Sequence, residues 1–141
     1  MSMSEKKPDP RVVRTRSVLH DALMTLIAEM GYDAITVQHI TDRAQLNRAT
    51  FYLHYRDKQD LLMHIIKDVL DELSQTPAHL QTIEATDTRQ LFTYYFDHVA
   101  KHVRFYRVML QEASVAPYVE QMHHHLEDII RRWLTSGRTD T

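Results

Sequence analysis

The chain has no cysteine. That excludes disulfides, thiolate metal sites and a cysteine nucleophile, and it fits a cytosolic protein. Glycine occurs only 2 times and proline 4 times in 141 residues, so turn punctuation is sparse and long helices are favoured. No apolar run is long enough to span a bilayer, and no signal-peptide core is present. A cytoplasmic location without a membrane partner is therefore expected. Positive charge is not in excess either: the formal net charge is −2, and neither half of the chain is basic. Attraction to nucleic acid would have to come from a local patch. A glycine-rich phosphate loop, a GxSxG elbow and an HExxH pair are all missing, and acids and histidines are scattered. No enzyme activity and no cofactor are expected.

What remains is ordinary for a globular protein, with 43% hydrophobic and 26% charged residues. The apolar residues fall at helical spacing and no strand pattern appears, so the fold class is all-α. Residues 1–10 are polar and proline-containing and read as a disordered arm. Leu19, Ala22, Leu23, Leu26, Ile27 and Met30 give a first helix over about 11–30, with Gly31 as its C-terminal stop. Thr36 can cap a second helix with Val37, Ile40 and Ala44 inward, and Asn47 can cap a third. Asp57 to Asp60 resembles an acidic capping box for a long fourth helix, whose stripe runs from Leu61 to Leu73 before Pro77. A loop over 77–87 follows. Then come a helix with Leu91, Phe92, Tyr95, Phe96 and Val99, a break near His102, and a short helix with Phe105, Tyr106, Met109 and Leu110. A last helix starts near Pro117, with Met122, Leu126, Ile129, Ile130 and Trp133 inside and Ser136-Gly137 at its end.

The segment Arg48-Ala-Thr-Phe-Tyr-Leu-His-Tyr55 has two unlike faces. Phe51 and Tyr55 are four apart and can pack inward. Arg48, Ala49, Thr50, Tyr52 and His54 offer a bidentate donor, a methyl, a hydroxyl, a phenol and an imidazole, a mixture that suits base edges and flanking phosphates. Arg43, Arg48, Arg56 and Lys58 stand against the single acid Asp57 between residues 43 and 58. Arg11, Arg14 and Arg16 add a second basic cluster.

Gly31-Tyr32, Thr36-Val37, Ile40, Ala44, Leu46, Thr50-Phe51-Tyr52, His54-Tyr55, Lys58 and Leu61-Leu62 match a known pattern in order and spacing. Over about residues 11–62 the chain resembles the DNA-binding segment of the TetR family of transcriptional regulators. Gln45 departs from the pattern, standing where a turn glycine is common; Ala49 replaces a frequent glycine. The resemblance implies a helix-turn-helix domain over 11–57 and a helical effector-binding and dimerisation domain over 58–141, joined by a long helix. It implies that Thr36 and Gln38 touch phosphate or a base edge, that the cap Asn47 is also among the DNA-binding residues, and that Arg48 and Ala49 read bases. Thr50, Tyr52 and His54 would hold the backbone, and Lys58 would neutralise a phosphate. It further implies a repressor that binds a palindromic double-stranded DNA operator as a homodimer and answers to a small molecule. A protein co-regulator, or a helical interaction module with a vestigial reading head, is the alternative.

Tyr95, Phe96, Val99, His102, Tyr106, Met109 and Met122 are the candidates for lining an effector cavity, with a filled core as the bland reading. The chain has 10 histidines. His98 and His102, and Glu120, His124 and Asp128, recur at four-residue steps that suit Zn²⁺ or Ni²⁺, while His123-His124-His125 points three ways around a helix. Solvated surface is the default for them, and no metal is assigned. The resembling family continues for two further helices. The expectation is a piece of a longer protein or a short variant that dimerises through its last helix.

Overall fold

A computed structural model describes residues 7–75 and 88–136. Of the arm expected over residues 1–10, residues 1–6 lie outside the described residues, as do the loop over 77–87 and Gly137, whereas Asp9 and Pro10 belong to the start of α1 because they cap and open it. Seven α-helices are described: α1 (Pro10–Met30), α2 (Val37–Ala44), α3 (Arg48–His54), α4 (Lys58–Ser74), α5 (Thr88–Lys101), α6 (Val103–Gln111) and α7 (Ala116–Ser136). A 3₁₀ turn, Ala113–Val115, precedes α7. No strand occurs among the described residues, as the all-α expectation requires. No helix among them is long and apolar enough to cross a membrane. The chain divides into two units, Met1–Leu62 and Met63–Thr141.

Local chemistry sets the helix ends of the first unit. Asp9 caps α1 by accepting from the Arg11 amide at 2.9 Å, and Pro10 occupies the first turn, where its missing N–H costs nothing. Gly31 ends α1 with φ 78°, and its N–H donates to the Ile27 carbonyl at 3.0 Å. Thr36 caps α2 reciprocally with His39, since Thr36 Oγ1 accepts from the His39 amide at 3.1 Å and His39 Nδ1 accepts from the Thr36 amide at 3.0 Å. Asn47 caps α3, its Oδ1 accepting from the Thr50 amide at 2.8 Å. At α4, Asp57 Oδ1 accepts from the Asp60 amide at 2.8 Å, and Asp60 reaches back to the Arg56 amide at 2.9 Å.

Gln45 carries the turn between α2 and α3 in the left-handed region, φ 57° and ψ 42°, and is the one positive-φ non-glycine among the described residues. This is the reshaped turn its sequence position required. Its N–H and that of Leu46 still close on the end of α2, the latter to the Thr41 carbonyl at 2.9 Å.

The core of this unit draws Leu19, Leu23 and Ile27 from α1, Ile40 and Thr41 from α2, Phe51 and Tyr55 from α3's end, and Leu61 and Leu62 from α4. Each large apolar side chain buried in this way contributes about 1.5–3 kcal/mol. Thr41 is buried without penalty because its hydroxyl donates to the Val37 carbonyl at 3.1 Å. His20 Nε2 and the Tyr55 hydroxyl meet at 3.1 Å.

In the second unit Ile65, Ile66, Val69, Leu70 and Leu73 form the buried stripe of α4. Leu91, Phe105, Val108, Met109, Val115 and Met122 are buried from the later helices. The Tyr94 hydroxyl donates to the Glu72 carbonyl at 3.1 Å, tying α5 to the last turn of α4. The helical path breaks at His102 as expected, with φ −111° and ψ 28°. Ile130, expected inside, is exposed. An α-helix with apolar residues on more than one face leaves some of them in water. The side chains of Ile129 and Trp133 lie outside the description.

Candidate nucleic-acid interface

Two anchors hold α3. Phe51 is fully buried and Tyr55 nearly so, with ring centroids 6.0 Å apart. Four residues on, a seven-residue helix has turned back onto the same face, so these anchors fix which side chains point outward. Arg48, Ala49, Tyr52 and Leu53 are exposed; Thr50 and His54 are half-buried. The Tyr52 ring packs edge-on against Phe51, centroids 5.3 Å apart, which orients it while leaving it half in water.

The other expected contacts divide by what already occupies them. Thr36 is committed to its cap. Gln38 is exposed and donates to Asp42 Oδ1 at 2.7 Å. Thr50 Oγ1 donates to Asn47 Oδ1 at 2.8 Å, so the hydroxyl has acceptor capacity left for a partner. Lys58 has a second occupation that the sequence did not disclose. Its ammonium donates to the carbonyls of Tyr32 at 2.9 Å and Asp33 at 3.3 Å and sits 4.4 Å from the Tyr32 ring centroid. One of its three protons is left for a phosphate.

Pairing also thins the basic patch. Arg43 makes a two-pronged bridge to Glu29, at 2.9 and 2.5 Å, and clamps α2 to α1. Arg56 lies 3.8 Å from Asp60. Among the described residues, Arg48 alone of the four cations between 43 and 58 has no intramolecular partner. Leu53, which the sequence reading passed over, is 82% exposed on the same face. A leucine at that exposure on a helix whose neighbours are polar is the signal that would have found it.

The seven effector candidates fall into three environments. Met109 and Met122 are buried, and Tyr95, His102 and Tyr106 are half-buried. Phe96, at 70% exposure, and Val99 lie in water, so they are not walls of an enclosed cavity in this unit. Apolar spacing placed them on a helix but not on its inner side. His98, which was not among the seven, is buried beside them, and its Nε2 meets the Tyr106 hydroxyl at 2.9 Å.

Residues 19–65 match the family model of bacterial regulatory proteins, tetR family. The HTH-type transcriptional regulator YxbF of Bacillus subtilis is 41% identical over 75 residues, which cover 50% of this chain and 20% of that protein. The HTH-type negative transcriptional regulator IcaR of the biofilm operon of Staphylococcus epidermidis is 27% identical over 113 residues, covering 77% of this chain and 60% of that protein. The chain thus spans less than two thirds of the length of these curated relatives, 20% of one and 60% of the other. A crystal structure from Syntrophomonas wolfei, of a protein assigned to the TetR-family transcriptional regulators, superposes with a TM-score of 0.74 at 16% identity, over 89% of this chain and 69% of that one. The fold is shared along most of the chain, and the sequence match is concentrated where Phe51, Tyr55 and the α2–α3 turn build the reading head. Over residues 19–65, which hold its helix-turn-helix, the chain is similar to the TetR family of bacterial regulatory proteins, and it shares the fold of a TetR-family structure.

Proposed function

We propose that this protein is a transcriptional repressor that binds a two-fold symmetric DNA operator as a homodimer and is released by an effector acting on its second unit. The observation that carries the reading is α3 itself. Its anchors are buried, and it turns an unpartnered guanidinium, a methyl, a phenol and an isobutyl group outward together. Arg48 supplies a bidentate donor for guanine, and Ala49 and Leu53 supply apolar contact for a thymine methyl. Gln38, Thr50 and His54 flank them as backbone contacts. Repression is supported by the IcaR relative, whose name describes a negative regulator. Nothing in the site calls for enzymatic chemistry, and a cytoplasmic location follows from a chromosomal target.

A homodimer is supported by a row of apolar residues at helical spacing, Phe92, Phe96, Val99 and Val103, which run exposed along α5 and into α6. Water-exposed aromatic surface of this kind marks an interaction face. Two copies related by a two-fold axis read a palindrome. Release follows where the effector prefers a conformer whose two heads no longer match the half-site spacing.

Selection from a random duplex library with the full chain tests the reading. Enrichment of an inverted repeat is the expected result. A pool without any sequence preference would remove the regulator reading.

A further inference from the structure

Away from the reading head, three metal-ligating side chains converge in the second unit. Glu72 comes from the last turns of α4, His98 from α5, and His102 from the break between α5 and α6. One ligand atom of each lies within 4.8 Å of the others. The two imidazole rings are 4.8 Å apart, on one helix face at a spacing of four. Glu72 Oε2 is 2.5 Å from His102 Nε2, and Glu72 Oε1 accepts from Lys101 Nζ at 2.5 Å.

We propose that Glu72, His98 and His102 form a binding site for a divalent transition-metal ion of the Zn²⁺ or Ni²⁺ class. Two imidazoles and one carboxylate are a donor set that such ions take, with further positions left for water. Two nitrogen donors disfavour Mg²⁺ and Ca²⁺, which take oxygen. Bonds of about 2.0–2.2 Å set tetrahedral ligands about 3.3–3.6 Å apart. Bringing in the atoms that stand up to 4.8 Å apart, and parting Glu72 Oε2 from His102 Nε2 beyond 2.5 Å, is within the reach of side-chain rotation.

The surroundings fit this use. Burial holds His98 below the usual histidine range, and the neutral ring is the ligating form. Hydrogen bonding from Lys101 first, and from His102 after it, holds Glu72 below the usual carboxylate range against the opposing effect of burial. Tyr106 is pushed up to about 12, chiefly by burial. It stays a neutral phenol that orients the His98 ring, as the partner of a ligating histidine does. Lys101 is the internal cation that now satisfies Glu72. Its side chain is 66% exposed, so it can leave for water when an ion arrives. A bound ion takes the place of the direct contact between Glu72 and His102 and joins the end of α4 to the α5–α6 break.

The test uses no DNA, so it stands apart from the repressor reading. Metal-free full-length chain is titrated with Zn²⁺ by calorimetry and with Co²⁺ by its visible d–d absorption. One ion per chain is expected, with the Co²⁺ bands of nitrogen and oxygen ligation. Glu72→Gln and His102→Gln should each weaken binding about 100-fold or more. His123→Gln combined with His124→Gln should leave affinity unchanged. Lys101→Met removes the competing cation and should tighten binding severalfold. It leaves all three proposed ligands in place, so it keeps the test open should a ligand variant misfold. No uptake by the wild type would overturn the proposal. So would uptake that survives Glu72→Gln and disappears with His123 and His124, or a Lys101→Met variant that binds no more tightly.

Discussion

Replacing Gln45 by glycine should stabilise the reading head. At φ 57° and ψ 42° the Gln45 Cβ crowds its own backbone. That crowding costs about 1–2 kcal/mol for a residue other than glycine. The side chain is exposed and makes no hydrogen bond among the described residues, so its removal forfeits little. Glycine loses more freedom on folding, about 0.5–1 kcal/mol, which offsets part of the gain. The net expectation is about 0.5–1 kcal/mol in favour of the variant. Amide hydrogen exchange reads this locally. Ile40 donates to the Thr36 carbonyl at 3.2 Å and Phe51 to the Asn47 carbonyl at 3.3 Å, so their protection reports opening of α2 and α3. At about 1.4 kcal/mol per tenfold change, protection should rise about two- to fivefold. Gln45→Ala is the control. It keeps the Cβ and should show no gain. Equal protection in the glycine variant and the wild type would refute the strain argument. A loss would mean that the turn depends on the glutamine side chain.

Three further substitutions separate packing from recognition. Lys58→Ala removes two carbonyl contacts and the stack on Tyr32, and should cost the head about 1–2 kcal/mol in denaturant unfolding. A role on phosphate alone would leave stability unchanged and lower only the salt dependence of DNA binding. Leu53→Ala should leave stability within about 0.5 kcal/mol, because the side chain is in water, yet weaken operator binding by about 1–2 kcal/mol in an equilibrium titration. Tyr55→Phe breaks the bond to His20 and should cost about 0.5–1.5 kcal/mol of stability without changing base preference.

Helix ends were legible because capping is local. Gly31, Thr36, Asn47 and Asp57 each act within three or four residues of themselves, and the structure uses all four as helix boundaries. Even there, His39 as the reciprocal partner of Thr36 was unforeseen, since a glutamate or glutamine usually fills that position. Pairings across the chain were not legible. The basic cluster of residues 43–58 is a fact of composition. That Arg43 belongs to Glu29, and Lys58 to the carbonyls of Tyr32 and Asp33, is decided by how α1, α2 and α4 meet. Helical period likewise failed to separate the two apolar sides of α5. Leu91 and His98 face inward, whereas Phe92, Phe96 and Val99 face water. The spacing of His98 and His102 was visible in the sequence. Glu72, 30 residues from His102, was not, and without it the pair reads as surface.

The proposed contact between Arg48 and a base tests the DNA-reading account most directly. The base preferences of the wild type and of Arg48→Ala should be measured at every operator position under one salt concentration. The expected result is a loss of preference at one symmetry-related base pair in each half-site. Specific affinity should fall by about 1–3 kcal/mol while binding to unrelated duplex changes little. A variant that keeps the wild-type preference at every position would contradict the placement of α3 in the major groove.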